Sequence, residues 1–294
     1  MQGLGDHLFQ ILICLFLIVL IIVFPGVAHE GVDMGLALFA ESLFPYLLPI
    51  LILSNWLSML LASNRNKLLL YGRSYFLSAI GGYPTGAIII SQLLKTNQIS
   101  RKEASILLPI LHYPNPLFIL GFVSLELLND TTFGIRYLLV LHSISLLFLI
   151  ITYFRFPKGD IQSSTVKIIS PFTTAIKETI QPITIVATTI IFFSTTNVIL
   201  THFMNHNFEA MPHIFQLLLT SSLEITNGIF TGYQLLSFET FILFLVFYLT
   251  IQSLSIHIQV YVIAKEQMIP MMPYIVLRIV FSLLVPIVYF LIFY

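Results

Sequence analysis

The chain has 294 residues, of which 57% are hydrophobic and 9% charged, and its 13 Lys and Arg residues balance its 13 Asp and Glu residues. A soluble domain carries about 25% charged residues, so this composition excludes a soluble domain. The aromatic content of 14% excludes a disordered chain, and a net charge of zero without a basic patch speaks against nucleic-acid binding. Cys14, the single cysteine, provides neither a disulfide framework nor a metal site. We therefore expect a multi-pass protein of the lipid bilayer, without metal or cofactor.

Nine apolar segments approach or exceed the roughly 20 residues that a spanning helix needs. They cover residues 8–27, 36–62, 75–94, 103–124, 136–154, 179–201, 213–235, 239–264 and 269–294. Two of them are interrupted, the third by Gly81-Gly82-Tyr83-Pro84-Thr85-Gly86 and the seventh by Glu224 and Asn227-Gly228. Broken backbone at membrane depth must be buried in protein or line a cavity. Both segments are therefore predicted to be re-entrant hairpins.

The positive charges support this interpretation. Three cations precede the segment 75–94 and three follow it, so all six lie on one face only if the segment enters and leaves on that face. Continuing the alternation places eleven of the thirteen cations on the cytoplasmic side, with Arg136 and Arg278 as the exceptions. The sequence thus predicts an all-α fold with seven transmembrane helices and two re-entrant hairpins. We expect it in the plasma membrane of a bacterium, with the N-terminus in the cytoplasm.

Two parts of the chain show the same order of features. Glu41 to Pro45 and Glu178 to Pro182 share the pattern Glu-x-x-x-Pro and are each predicted to open a spanning helix, with the glutamate favouring the positive helix end. A broken hairpin, an interrupted helix and a plain helix follow in both. The predicted organisation is an uncleaved N-terminal transmembrane helix and outer loop (1–35), a first repeat unit (36–154), a cytoplasmic linker (155–177) and a second, inverted unit (178–294). Inverted repeats place a substrate site near the membrane midplane.

The glycine-rich loop of residues 81–86 is the first candidate site. It leaves backbone N–H groups unpaired where a helix starts near Thr85, an arrangement that suits a carboxylate or another anion. The alternative is a tight turn needed only for packing. Pro114 and Pro116 likewise free carbonyl groups near His112, which together with the Asn115 amide would bind a substrate donor or a cation. The alternative there is a proline kink satisfied by neighbouring helices.

Ionisable residues inside the later segments form the second set of candidates. Glu224 either carries a coupling proton or forms a structural pair with Arg278, because an intramembrane carboxylate needs a partner or a cavity. Arg278 either clamps a substrate carboxylate or neutralises Glu224. Asn227-Gly228 is predicted to form the second hairpin turn. Sodium is the alternative coupling ion, because one helix is rich in hydroxyl groups at Thr188, Thr189, Ser194, Thr195 and Thr196.

His257 lies mid-helix and is interpreted either as a substrate-binding or proton-shuttling residue or as a packing residue. Ser255 and His257 are two positions apart and do not face each other on a helix, so a hydrolytic Ser–His pair is not supported. The chain contains no H-E-x-x-H, G-x-S-x-G or Walker A motif. We expect no catalytic residue and no enzymatic activity.

Four runs of residues carry a resemblance to a known family: Phe44-Pro45-Tyr46-Leu47-Leu48-Pro49, Gly81-Gly82-Tyr83-Pro84-Thr85-Gly86-Ala87, Leu223-Glu224-Ile225-Thr226-Asn227-Gly228 and Ser253-Leu254-Ser255-Ile256-His257-Ile258-Gln259-Val260. They resemble the sporulation integral membrane proteins within the nucleoside-recognition or gate domain group. The resemblance implies hairpin tips at Gly81–Gly86 and at Glu224–Gly228, facing a broken helix at Ser255–Gln259.

The resemblance also implies a function. The expected activity is transport of a small polar solute, preferentially an anion, that is dipicolinate-like or nucleoside-like, with a proton or a sodium ion as the coupling ion. The alternative is a non-transporting gate or partner subunit of a membrane assembly. Whether the chain forms a homo-oligomer is left open.

Overall fold

The computed structural model describes residues 2–60, 66–156, 170–207 and 212–294, and within these ranges the chain is all-helical. The helices are α1 (Gln2–Val23), α2 (Pro25–Ala37), α3 (Phe44–Leu60), α4 (Lys67–Gly81), α5 (Thr85–Lys95), α6 (Arg101–Ile110), α7 (Thr131–Arg155), α8 (Pro171–Asn207), α9 (His213–Leu223), α10 (Ile225–Leu235), α11 (Phe238–Ile251), α12 (Leu254–Glu266) and α13 (Met272–Phe293). Two π-helical segments, Leu38–Leu43 and Phe118–Leu127, complete the secondary structure. The predicted all-α class is confirmed.

Several helices are long and apolar enough to cross a membrane. Within the described ranges there are four: Thr131–Arg155, Pro171–Asn207, Phe238–Glu266 and Met272–Phe293. A fifth is counted if His7–Val23 and Pro25–Glu41, bent by 104° at Phe24, act as one span. Large apolar side chains such as Leu147 and Leu291 lie exposed along these helices, as a lipid-facing surface requires. The chain is a multi-pass membrane protein, while the arrangement of seven spans and two re-entrant hairpins stays a prediction.

The N-terminal region differs from the expected helix and loop. The first helix ends at Val23, and the predicted outer loop up to residue 35 is instead helix α2. Helix α2 packs closely along α8, because a Cβ atom on Gly31 would lie 2.6 Å from the Thr195 Cα and one on Gly35 2.7 Å from the Ile191 Cα. Small residues permit this backbone approach between membrane helices. The loop prediction was wrong because only this tertiary contact reveals the helix.

The prediction that Glu41 and Glu178 open helices was also wrong. Glu41 lies in the π-helical segment that joins α2 to α3, and Glu178 lies inside α8. Helix α8 begins earlier, at Pro171, since proline is well suited to the first helical position. Of the predicted linker 155–177, residues 157–169 lie outside the described ranges and residues 171–177 belong to α8.

Helix α8 runs along much of the molecule. Its 37 residues span about 55 Å, well beyond the roughly 30 Å of a hydrocarbon core. Hydroxyl groups along it donate to carbonyl oxygens one turn earlier in the same helix, at Thr184, Thr188, Thr189, Thr195 and Thr196. These threonines therefore bond to their own backbone, whereas the hydroxyl group of Ser194, which belongs to the same predicted set, is buried without a hydrogen-bond partner among the described residues. The sodium alternative stays open.

Two pairs of short helices form the hairpins that position the site. Hairpin 1 consists of α4 and α5 and hairpin 2 of α9 and α10, and the two helices of each pair pack against each other. Helix α4 has 15 residues and the other three have 11 each, which corresponds to about 23 and 17 Å. Each arm is too short to cross a bilayer alone.

Candidate functional site

Four interruptions of helical structure meet at the centre of the molecule. They are the tip of hairpin 1 at residues 82–84, the break at residues 111–115, the tip of hairpin 2 at Glu224, and the break at residues 252–253. The Tyr83 N–H donates to the Tyr113 carbonyl over 2.8 Å, and the His112 Nε2 atom is hydrogen-bonded to the Gln252 Oε1 atom. The two broken helices thus touch each other at their breaks.

The tip of hairpin 1 depends on glycine. Gly82 has φ 67° and ψ −171°, a left-handed conformation that side chains rarely adopt, and a Cβ atom there would lie 2.5 Å from the Asn115 backbone nitrogen. Gly86 packs against the Leu111 carbonyl oxygen, and Gly81 packs against the Thr85 side chain. Helix α5 begins at Thr85, as predicted, and the preceding Pro84 supplies no side-chain cap.

The tip of hairpin 2 lies at Glu224, so the prediction of a turn at Asn227-Gly228 was wrong. Glu224 is the N-cap of α10: its Oε2 atom accepts hydrogen bonds of 2.9 Å from the Thr226 and Asn227 backbone N–H groups. Asn227 and Gly228 are helical. Gly228 is needed for close packing instead, since a Cβ atom there would lie 2.6 Å from the Ser221 Cα.

Tyr248 on α11 braces the same tip. Its hydroxyl group donates to the Ser221 carbonyl over 2.7 Å and to the Glu224 carbonyl over 3.1 Å. The Ser221 carbonyl lies in the last turn of α9, where a helix leaves its carbonyls without partners. The Glu224 carbonyl also accepts from the Gly228 N–H over 3.0 Å. The hydroxyl therefore satisfies a backbone group at the end of α9 and links it to the start of α10.

The two broken helices restart in different ways. Asn115 accepts a hydrogen bond of 2.8 Å from the Leu117 N–H, so its amide oxygen caps the second half of the first broken helix. In the second, Gln252 has φ 73° and ψ 178°, a conformation normally restricted to glycine. The Ser253 and Ser255 hydroxyl groups lie 2.9 Å apart, and α12 starts without a side-chain cap.

Arg278 does not pair with Glu224, and its other predicted role, as a clamp for a substrate carboxylate, stays a prediction. Its side chain is 3% exposed, and it donates to the His112 carbonyl over 3.3 Å and to the Thr250 carbonyl. Both carbonyls lie where a helix is interrupted, so the guanidinium group serves backbone acceptors that the breaks leave free. Within the described part of the chain Arg278 has no acidic partner. Glu224 caps α10 instead of pairing with it.

His257 lies behind the breaks. Its Nδ1 atom is 2.9 Å from the Tyr274 hydroxyl oxygen, which is 3.3 Å from the His112 Nε2 atom. The three residues come from α12, α13 and the break at residues 111–115. His257 therefore joins a polar network in the core rather than a Ser–His pair.

A cavity of about 450 Å³ lies between the two hairpin tips. This volume is in the range of small-molecule sites. Of the predicted site residues it is lined by Gly81, Tyr83, Asn115, Glu224, Thr226, Ser255 and Gln259. The others are not part of the lining: Gly82, Pro84, Thr85, Gly86, His112, Asn227, Gly228, His257 and Arg278. The structure thus brings together residues from all four interruptions.

Two opposing electrostatic features shape this cavity. Carboxylates of Glu41, Glu126 and Glu224 are among the residues that line it, and the lining contains no lysine, arginine or histidine. In contrast, three helix starts lie at the wall, those of α10, α12 and the helix after Asn115, and Tyr83 of the hairpin 1 tip lines it as well. Helix N-termini attract anions. The starts of α5 and α12 have no side-chain cap, whereas Glu224 already places a carboxylate on α10.

Sequence reasoning missed three residues that shape the site. Tyr248 braces hairpin 2, Gln252 joins the broken helices, and Tyr274 links the two histidines. All three are polar groups inside apolar segments, which is the one signal that marks them in the sequence. Glu41 and Glu126 also line the cavity, although Glu41 was predicted only to cap a helix and Glu126 was not singled out from the sequence.

The comparisons with known proteins agree with the membrane assignment. The chain is 34% identical over 134 residues to the sporulation integral membrane protein YlbJ of Bacillus subtilis (strain 168). The alignment covers 41% of this chain and only 33%, about a third, of that protein. No family model matches the chain, and no solved structure does. The expected similarity to sporulation membrane proteins is confirmed in this limited form, and the gate-domain group and dipicolinate transport stay predictions.

Proposed function

We propose that this chain is a secondary transporter that moves a small polar solute across a bacterial membrane through the cavity between its hairpin tips. The observation that carries the proposal is that both hairpins and both broken helices line the same cavity. Discontinuous helices that meet around a cavity are the arrangement in which many transporters hold their substrate. The similarity to a sporulation integral membrane protein supports the bacterial membrane. We assign no catalytic step to the site.

The proposal includes seven spanning helices, two re-entrant hairpins and an inverted repeat. Its support is the matching set of contacts in the two units: α3 packs on α8, α7 packs on α13, and each hairpin packs on the first half of its own broken helix. Each hairpin also contacts the other repeat unit. Helix α5 packs on α12, and Phe230 of α10 stacks edge-on against Phe122, with 5.4 Å between ring centres. The pair His112 and Gln252 joins the two breaks.

The uncapped start of α12, which lines the cavity through Ser255, favours an anionic group on the solute. Helix α5 packs on α12, and Tyr83, which precedes α5, also lines the wall. Three carboxylates in the same wall disfavour a bare dianion by repulsion. We therefore propose that a dipicolinate-like or nucleoside-like solute travels with a charge-compensating proton or cation.

Purified protein in proteoliposomes tests the proposal. Uptake of dipicolinate, nucleosides and dicarboxylates is measured for wild type, Glu224→Gln and Gln259→Ala. Losing one solute hydrogen bond should reduce uptake about tenfold, as expected for roughly 1.4 kcal/mol. Tyr233→Phe is the matched control, because Tyr233 is exposed and does not line the cavity.

Two outcomes contradict the proposal. If folded wild type carries none of these solutes, the gate or partner-subunit function is favoured instead. If wild type transports a solute and both cavity variants match it, transport does not use this cavity.

A further inference from the structure

Three titratable side chains from three separate elements form a continuous hydrogen-bonded chain inside the molecule. The His257 Nδ1 atom is 2.9 Å from the Tyr274 hydroxyl oxygen, and the same oxygen is 3.3 Å from the His112 Nε2 atom. Tyr274 and His112 are each only 2% exposed, whereas His257 is partly exposed. The chain therefore leads from a partly accessible imidazole to the junction of the two broken helices.

The chemistry of this chain suits proton transfer. A tyrosine hydroxyl group can accept a hydrogen bond from one imidazole while donating its own proton to another. The Gln252 Oε1 atom can only accept a hydrogen bond, so the His112 Nε2 atom carries a proton. That proton passes to the Tyr274 oxygen as the Tyr274 proton passes to the His257 Nδ1 atom. One N–H and one O–H bond break, and one O–H and one N–H bond form, so a single proton moves from His112 to His257 and no charge is created.

Polar atoms without partners mark the inner end of the chain. His112 Nδ1, Gln252 Nε2 and Arg278 Nε are buried, and none of them has a hydrogen-bond partner in the described residues. His112 is held through its other nitrogen by Gln252. Its free Nδ1 atom is thus available to take up a proton as the Nε2 atom gives its own to Tyr274. The Tyr83 ring, which lines the cavity, lies 5.4 Å from the His112 ring.

The charged and titratable groups nearby have other partners and do not interrupt the hydrogen bonds from His257 through Tyr274 to His112. Arg278 is bonded to carbonyl oxygens, and Tyr83 stands between His112 and the cavity. Tyr113 lies beside His142, and His142 is bonded to Tyr75 over 2.9 Å. Glu224 lies on the cavity wall and is engaged by α10. Chains of ionisable residues inside membrane proteins commonly carry protons.

We propose that His257, Tyr274 and His112 form a proton relay that couples proton movement to transport through the cavity. This inference rests on the proposed function. It takes the proton as the coupling ion, with sodium as the alternative that the experiment tests. Tyr274 is a positioning and transfer residue that does not touch the solute.

Tyr274→Phe is the decisive variant because it removes one oxygen atom and keeps the ring. Tyr289→Phe is the matched control, because Tyr289 lies on the same helix as Tyr274 and is equally buried. Tyr289 takes no part in the hydrogen bonds between His257, Tyr274 and His112. Proteoliposomes loaded with dipicolinate, or with the solute that wild type carries, are assayed in two ways. One assay measures uptake driven by a pH gradient, and the other measures solute exchange at equal pH.

The relay predicts that Tyr274→Phe and His257→Gln lose gradient-driven uptake and keep exchange, while Tyr289→Phe behaves as wild type. The relay is overturned if Tyr274→Phe responds to the gradient as wild type does, or if a sodium gradient and not a pH gradient drives wild type. It is also overturned if both variants lose exchange together with gradient-driven uptake. Absence of exchange in wild type contradicts the proposed function instead.

Discussion

Hairpin 1 turns by means of its backbone, whereas hairpin 2 turns by means of side chains. At the first tip, Gly82 has a left-handed conformation and lies against the Asn115 backbone, and the Tyr83 N–H donates to the Tyr113 carbonyl. At the second, the Glu224 carboxylate caps α10 and the Tyr248 hydroxyl satisfies the carbonyls of the turn. The two tips occupy matching places in the proposed repeat and face the same cavity.

The two tips should therefore respond differently to substitution. Hairpin 1 should be sensitive to volume, since its contacts are between backbone atoms. Hairpin 2 should be sensitive to charge and hydrogen bonding, because one carboxylate both holds the tip and lines the cavity. A solute or proton that reaches Glu224 therefore acts directly on the fold of hairpin 2.

The largest effect is expected for Gly82→Ala. The left-handed conformation and the clash with Asn115 together should cost about 3 kcal/mol. Thermal unfolding in detergent measures this cost. Gly72→Ala is the control, since a Cβ atom on Gly72 meets nothing within 4 Å and alanine favours a helix. An unchanged melting temperature for Gly82→Ala would show that hairpin 1 does not depend on this backbone contact.

Removing the cap of hairpin 2 should have the next largest effect. Glu224→Ala leaves two backbone N–H groups without their acceptor and should cost about 1–2 kcal/mol. Glu224→Gln retains an oxygen acceptor, so we expect it to unfold closer to wild type while still losing transport. Melting temperatures that rank glutamine with alanine would mean that the charge, and not the acceptor, holds the tip.

Tyr248→Phe should cost about 1 kcal/mol, because the Ser221 and Glu224 carbonyls lose a donor in a buried place. The comparison variant is Tyr261→Phe, whose side chain is exposed. Equal melting temperatures for the two variants would show that the Tyr248 hydroxyl group does not stabilise hairpin 2.

Asp130, the exposed N-cap of α7, provides the smallest effect and a contrast to Glu224. A hydrogen bond from the Thr132 hydroxyl group lowers the pKa of Asp130 below its ordinary value. Its stabilisation is therefore present above the ordinary pKa of aspartate and is lost as the pH falls through the lowered pKa. Asp130→Ala should unfold slightly earlier than wild type at neutral pH and match it in strong acid. A difference that grows on acidification would contradict this sign.

The sequence predicted the features that have local causes. Clustered glycine and proline residues interrupt a helix, so the breaks near Gly82 and Pro114 could be located from the residues alone. The start of α5 at Thr85 was predicted for the same reason. Single prolines such as Pro109, Pro182 and Pro286 lie inside helices. Each of the nine apolar segments also overlaps one or two of the helices, because burial in lipid demands long apolar runs, whereas α2 was not predicted.

The remaining features depend on tertiary contacts and had no local signal. The break at Gln252 requires a conformation normally restricted to glycine, and it coincides with a bond to His112 from the other half of the chain. The turn at Glu224 instead of Asn227 depends on a side-chain cap. Arg278 binds carbonyls that only the folded breaks expose. The periodicity and composition of the sequence predict none of these contacts.

Cysteine accessibility tests the central claim, that the cavity between the hairpins is the transport site. Cys14 is the single cysteine, so Cys14→Ser provides a cysteine-free background. In that background, Thr226→Cys places a thiol on the cavity wall, and Thr188→Cys places one on an exposed face of α8 outside the cavity. The account predicts that a water-soluble thiol reagent labels Thr226→Cys but not Thr188→Cys, and that the transported solute slows this labelling. Labelling of Thr226→Cys that the solute leaves unchanged, or no labelling from either side of the membrane, would contradict it.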